Sequence, residues 1–279
     1  MADSQPRLPS PVGTCDTHMH IFEPQYAPRP GGNLPAMPGT IAAYRALRAR
    51  LGITRTVIVQ PTAYGNDNRC TLAAMQALAD ERHQTRGVAI VLPGDSDAEI
   101  ERLGAAGVRG LRYHLLPGGW VQWDTLAAMA ARVAAQGWHV QIQCDGRELA
   151  QREALLKTLP CDIVIDHIGR FMQPVAEDDP GWLALRRLVD GGRCWVKLSA
   201  PYHGSVSGAP RYDDAGALAR QLIRAAPERM LYASNWPHPS LKSDFPDDAA
   251  LLDLLGDWAG SDAVRHRILV DNPARLYGF

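Results

Sequence analysis

Short runs rich in β-branched and other apolar residues alternate along this chain with longer Ala-, Leu- and Arg-rich stretches whose apolar positions recur at helical spacing. The short runs predict strands over Thr14–Phe22, Arg55–Gln60, Arg86–Leu92, Val108–Leu116, Trp138–Cys144, Asp162–His167, Cys194–Ser199 and Met230–Asn235. They are apolar nearly throughout, as expected of parallel strands covered on both faces. The longer stretches predict helices over Thr40–Leu51, Cys70–Arg82, Ser96–Ala106, Asp124–Gln136, Arg147–Thr158, Pro180–Asp190, Tyr212–Ala226 and Asp248–Ala259. Gly52, Gly87, Gly107 and Gly137 read as helix stops just ahead of the next strand.

Strand–helix units follow one another without a linker or a break in composition. This predicts an α/β protein, a single (β/α)8 TIM barrel domain over residues 1–279. A doubly wound open sheet is the alternative. No Gly-x-Gly-x-x-Gly follows the first strand, so a dinucleotide-binding version has little support. The formal net charge of −1 argues against non-specific binding to nucleic acid or a membrane surface. Met1 to Pro11 carries no apolar signal segment, and no run approaches the roughly 18 apolar residues of a membrane span. The five cysteines are odd in number and lack Cys-x-x-Cys spacing, which predicts a reduced, cytoplasmic protein with buried thiols. Cys15 and Cys161, near strand starts, read as packing residues.

The polar residues that interrupt these strands fall at their carboxyl ends, where barrels of this kind build their sites. They are His18 and His20, Gln60 with Tyr64, Arg112 with His114, Gln141 with Gln143, Asp166 with His167, Lys197 with Ser199, and Asn235 with His238. His18 and His20, one residue apart on a strand, project from one face and converge. A structural barrel would not need this density of hydrogen-bonding groups at one rim. His83, His139 and His266 have no partner in any motif and read as packing or surface residues. The Pro/Gly-rich segment Pro28–Gly39 predicts a loop over the barrel mouth.

Asp16-Thr17-His18-Met19-His20-Ile21-Phe22, Val59-Gln60-Pro61-Thr62-Ala63-Tyr64, Gly107-Val108-Arg109-Gly110-Leu111-Arg112, Asp166-His167-Ile168-Gly169-Arg170, Val196-Lys197-Leu198-Ser199, Ser234-Asn235-Trp236-Pro237-His238 and the terminal Asn272–Phe279 together carry a resemblance. The chain resembles the amidohydrolase superfamily, in the branch of 2-pyrone-4,6-dicarboxylate lactonase and the sugar-acid lactone enzymes. Metal-dependent members take ligands from the strand-one histidine pair, a lysine or glutamate on strand four, histidines on strands five and six, and an aspartate on strand eight. Here strand four offers Arg112 and His114, strand five Gln141 and Gln143, and strand eight Asn235. His18, His20 and His167 are a possible three-histidine zinc set, but a cation beside Arg112 and Arg170 would be repelled. The resemblance therefore implies chemistry without metal or other cofactor.

On that reading His18, His20 and His167 polarise a lactone carbonyl, while Arg112, Arg170 and Tyr64 hold a carboxylate or ring hydroxyls. Gln141, Gln143 and Ser199 complete the expected substrate-binding set. Asn235 stands where the lactonases carry a general-base aspartate, and an amide cannot take that proton. His238, then His20, are the alternative bases. Otherwise a substrate hydroxyl attacks in place of water, as in the D-galactarolactone isomerases, which Asn235–His238 with Pro246-Asp247-Asp248 also resembles. His203 in place of a carboxylate-binding arginine suggests a less acidic substrate. The leading expectation is a metal-independent hydrolase of a carboxylated or polyhydroxylated lactone, a small-molecule substrate. A lactone isomerase and a metal-dependent hydrolase are the enzymatic alternatives, and a sugar-acid binding protein the non-catalytic one.

Overall fold

The computed structural model describes residues 4–279. Eight strands pair in parallel in sequence order: β1 (Cys15–Met19), β2 (Arg55–Val59), β3 (Gln84–Ala89), β4 (Val108–His114), β5 (His139–Gln143), β6 (Ile163–Ile165), β7 (Cys194–Leu198) and β8 (Met230–Tyr232). Helices α1 (Ile41–Leu51), α2 (Arg69–Leu78), α3 (Asp97–Ala105), α4 (Leu126–Ala134), α5 (Leu149–Thr158), α6 (Pro180–Asp190), α7 (Asp213–Ala225) and α8 (Asp248–Ala259) cover the outside. This is the (β/α)8 barrel that the alternation predicts. The ring closes through the segment after β8: the Asn235 N–H donates to the His18 carbonyl and the His20 N–H to the Trp236 carbonyl, both at 2.8 Å. Buried Asp16 ties the same seam from the side. Its carboxylate accepts from the N–H of Ser234 at 3.0 Å, the Ser234 hydroxyl at 2.6 Å and the Tyr44 hydroxyl at 3.1 Å.

Side-chain caps set several helix starts. The Thr40 hydroxyl accepts from the Ala43 N–H at 3.2 Å, and the Asp179 carboxylate from the Trp182 N–H at 2.9 Å. Gly52 ends α1 at φ 67°, as predicted. Gly87 departs from expectation: it lies inside β3, where a Cβ would sit 2.7 Å from the Met75 sulfur, so it lets α2 pack closely. Helix α2 stops at Leu78, short of the expected Arg82. Asp80 there folds a turn by accepting from the N–H groups of Arg82 and His83 at 2.8 and 3.0 Å. The periodicity also missed the C-terminal helices α9 (Asp262–His266) and α10 (Asn272–Tyr277), joined by a π-turn over Arg267–Asp271. Each is too short to carry a helical repeat. Their Tyr277 joins Cys15, Val57, Val164, Trp195 and Leu231 in a small apolar cluster inside the barrel. Most of the apolar core lies instead between sheet and helices. Among the described residues no helix is long and apolar enough to cross a membrane.

Candidate active site

Inward-facing side chains change from apolar to ionisable toward the carboxyl ends of the strands. There a cavity of about 190 Å³, the volume of about six waters, opens between His20, Arg112, His114, His167, His203 and Asn235. Gln143, Thr62 and Asn33 complete the wall, the last from the Pro28–Gly39 loop. That loop is held down by the Arg29 N–H, which donates to the Ala63 carbonyl at 2.8 Å, and by the Arg29 guanidinium, 5.4 Å from the Trp120 ring. No carboxylate lines the cavity among the described residues. A second cavity of about 290 Å³ lies at the opposite end beside Trp195 and Arg275 and shares none of these groups.

His20 and His167 reach the cavity wall, whereas His18 is fully buried beneath them. Nδ1 of His20 donates to the Val59 carbonyl at 2.7 Å, so its Nε2 is an acceptor. The Nε2 atoms of His18 and His20 are 3.2 Å apart, which assigns the proton between them to His18. Nδ1 of His18 is then an acceptor for the Lys197 ammonium at 3.3 Å and Gln141 Nε2 at 3.2 Å, and Asp166 Oδ1 stands 3.2 Å from the same nitrogen. Lys197 also donates to Gln141 Oε1 at 2.6 Å and stands 3.5 Å from Asp166 Oδ1. Gln141 Nε2 donates to Asp166 Oδ2 at 3.0 Å. Burial lowers the Lys197 pKa to about 8, opposed by Asp166. Burial likewise holds His20, His114 and His203 down to about 3, and His18 and His167 well below the usual imidazole range. At neutral pH these rings are uncharged.

His18, Asp166 and His167 bring ligand atoms within 4.8 Å of one another, a spacing compatible with a divalent ion. The donor set does not fit one. The Lys197 ammonium stands against both His18 Nδ1 and Asp166 Oδ1, and a dication there would face a fixed positive charge at contact distance.

Arg112 faces the cavity as expected, its guanidinium donating to the Gln60 carbonyl and to Gln143 Oε1 at 3.2 Å. Burial lowers its pKa only to about 10, so it stays charged. Nδ1 of His167 and the Ser199 hydroxyl are 2.8 Å apart, so Ser199 braces His167 from behind. Gln141 likewise belongs to the Lys197 layer beneath the cavity. Tyr64 packs between the Phe22 and Tyr26 rings, at 5.8 and 6.4 Å, outside the cavity wall. Arg170 lies along a neighbouring crevice with Phe171 and Pro201. His238, expected as a base, is fully buried off the wall and meets the Tyr202 hydroxyl at 2.9 Å. Asn235 is on the wall. His167, Ile168, Arg170, Ala200, Asn235 and His238 all take positive φ near this rim, a cluster of costly backbone conformations of the kind found around functional sites.

The groups given no role from sequence are Lys197, Asp166, Asp16, Tyr202 and Asn33. A lysine inside the apolar run Cys194–Leu198 is itself a signal, because a buried ammonium demands partners. Tyr202 and Asn33 sit on loops with no pattern to mark them.

The model of the amidohydrolase family matches residues 15–279. A D-galactarolactone isomerase of Agrobacterium fabrum is 37% identical over 282 residues, spanning 99% of this chain and 95% of the relative. A 2-pyrone-4,6-dicarboxylate hydrolase of Comamonas testosteroni is 34% identical, spanning 98% of this chain and 93% of that one. A ligand-free crystal structure from Agrobacterium tumefaciens matches with a TM-score of 0.90 at 38% identity, over 98% of each chain.

Proposed function

The chain belongs to the amidohydrolase family, and we propose that it is an enzyme acting, without metal, on a small hydroxylated and carboxylated lactone, moving the ester to another hydroxyl of the same molecule. The observation that carries this is a cavity wall that combines a charged Arg112 with neutral histidines and holds no carboxylate among the described residues. Arg112 grips the substrate carboxylate. An imidazole N–H of His167 faces the ring carbonyl and stabilises the oxyanion. His203, half-buried at the rim and a weak base with its pKa held down to about 3, takes the proton of the attacking hydroxyl only in concert with that oxygen's bonding to the carbonyl carbon. The ring C–O bond then breaks, and the same proton returns to the departing oxygen. Nothing is gained or lost overall, so one neutral imidazole suffices where water attack would release acid. The Lys197 ammonium supplies fixed positive charge beneath the site.

Hydrolysis, the leading expectation from sequence, is the second reading, and the relatives of both kinds support a lactone substrate equally. Free thiols at all five cysteines support a reducing, cytoplasmic setting. The test is proton NMR of chelator-treated protein with D-galactarolactone and pyrone and aldonolactone panels, run beside a pH-stat. Lactone-to-lactone conversion without acid release is the expected result. Acid release favours the hydrolase, and no turnover of any lactone overturns both.

A further inference from the structure

Behind Asn235 runs a chain of side chains that touches no part of the cavity. Asn235 Nδ2 donates to the Tyr202 oxygen at 2.9 Å, and that oxygen lies 2.9 Å from His238 Nδ1. His238 Nε2 is 3.4 Å from Asp248 Oδ1, on the first residue of α8. Both of these last atoms are buried and have no hydrogen-bond partner among the described residues, so they face each other as a close contact without a formed hydrogen bond. A carboxylate oxygen facing an imidazole nitrogen at this distance favours the tautomer with the ring proton on that nitrogen. His238 Nδ1 is then an acceptor, the Tyr202 hydroxyl donates to it, and the Tyr202 oxygen can only accept from Asn235. The direction of every bond follows from the charge at the far end.

We infer that Tyr202, His238 and Asp248 are positioning residues that lock the Asn235 amide with its carbonyl oxygen toward the cavity, making that corner an acceptor for a substrate hydroxyl. Resting on the lactone reading above, this names what the substrate offers there: a hydroxyl hydrogen, not a carboxylate or carbonyl. The hydroxyl so held is the one that attacks. A carboxylate at this corner would meet the Asn235 oxygen acceptor to acceptor, which assigns the substrate's charged end to Arg112 across the cavity.

The direct test is the tautomer of His238 in the wild-type protein, read by nitrogen-15 NMR of histidine-labelled enzyme and assigned by the signal that shifts in Tyr202→Phe. A ring carrying a proton at Nε2 and none at Nδ1 is expected. Protonation at Nδ1 reverses the chain and overturns the inference, whether or not any lactone is turned over. The kinetic test compares D-galactarolactone turnover in wild type and Tyr202→Phe. Loss of one oriented neutral hydrogen bond predicts about a tenfold fall in kcat/KM. The loss should be the same for an analogue that keeps the attacking hydroxyl and lacks only its neighbours, with the melting temperature held as control. An unchanged kcat/KM in an active enzyme overturns the inference. A wild type inactive on every lactone defeats the proposed function instead, and the tautomer still decides this one.

Discussion

The ammonium of Lys197 and Nδ1 of His18 face each other at 3.3 Å inside the barrel, two groups 179 positions apart in sequence. Because Nδ1 accepts from this side, the His18 proton is directed to Nε2 of His20. Lys197 thereby places a positive charge beside His18 and Asp166, against the histidine pair.

Lys197→Met should lower kcat about a hundredfold or more, the usual cost of losing an electrostatic stabiliser at a reacting centre. It also orphans Asp166, and removing one partner of a buried pair destabilises by about 3–5 kcal/mol. Adding Asp166→Asn should restore the denaturant midpoint without restoring activity. Recovery of both would mean that Lys197 acts only through folding.

Since the Lys197 pKa is lowered to about 8, activity should decline as pH rises through that value while circular dichroism stays native. Dialysis against a chelator should leave the profile unmoved. A full loss of turnover on chelation would contradict the charge assignment at this site.

Acid should destabilise the fold earlier than carboxylate titration alone. Six histidines, His18, His20, His139 and His167 buried and His114 and His203 half-buried, have folded pKa values below the ordinary 6.5. Their stabilisation is complete above 6.5 and is lost as pH falls toward the folded values. Each contributes about 1.4 kcal/mol per pH unit once the unfolded ring is protonated. Asp16, raised to about 6 by burial, works in the opposite direction below that pH but is a single group. Urea midpoints measured from pH 7 to 5 should therefore fall steeply, and His139→Gln should reduce the proton count by about one.

Asn235→Asp places a carboxylate on the cavity wall and supplies a base for water. Acid release from D-galactarolactone should rise relative to lactone exchange, in a pH-stat and by NMR. Identical product ratios would remove Asn235 from the reacting centre.

Arg112→Lys keeps the charge and loses the fork, so KM for a carboxylated lactone should rise about tenfold with a smaller change in kcat. A neutral lactone of the same ring size should show no such rise.

The barrel was legible because parallel strands buried on both faces and helices with one apolar stripe leave distinct periodicities. Strand order then follows from chain order. The rim was legible because polar residues break the apolar runs only at one end, and His20, Arg112, His167 and Asn235 from that set line the cavity. Depth was not. A period of two says that His18, Gln141 and Ser199 point inward but not how far below the mouth they lie, so supports and contacts look alike. His238 shows the same limit: three residues from Asn235, it turns away, with the backbone at φ 59° and 56° at the two positions. Tyr64 follows a strand end, yet a short helical turn over Thr62–Tyr64 carries its ring into the aromatic packing.

The seam that completes the cylinder has a consequence for when activity can arise during synthesis. The peptide groups joining its two edges belong to His18, His20, Asn235 and Trp236, so the same few links that shut the barrel also bring the first and last parts of the cavity wall together. A nascent chain emerging from the ribosome can pair seven strands and still own no working pocket. Competence should arrive in one step, only after the final strand and its trailing turn have left the exit tunnel, and any earlier stop should yield a product that is inert rather than partly active.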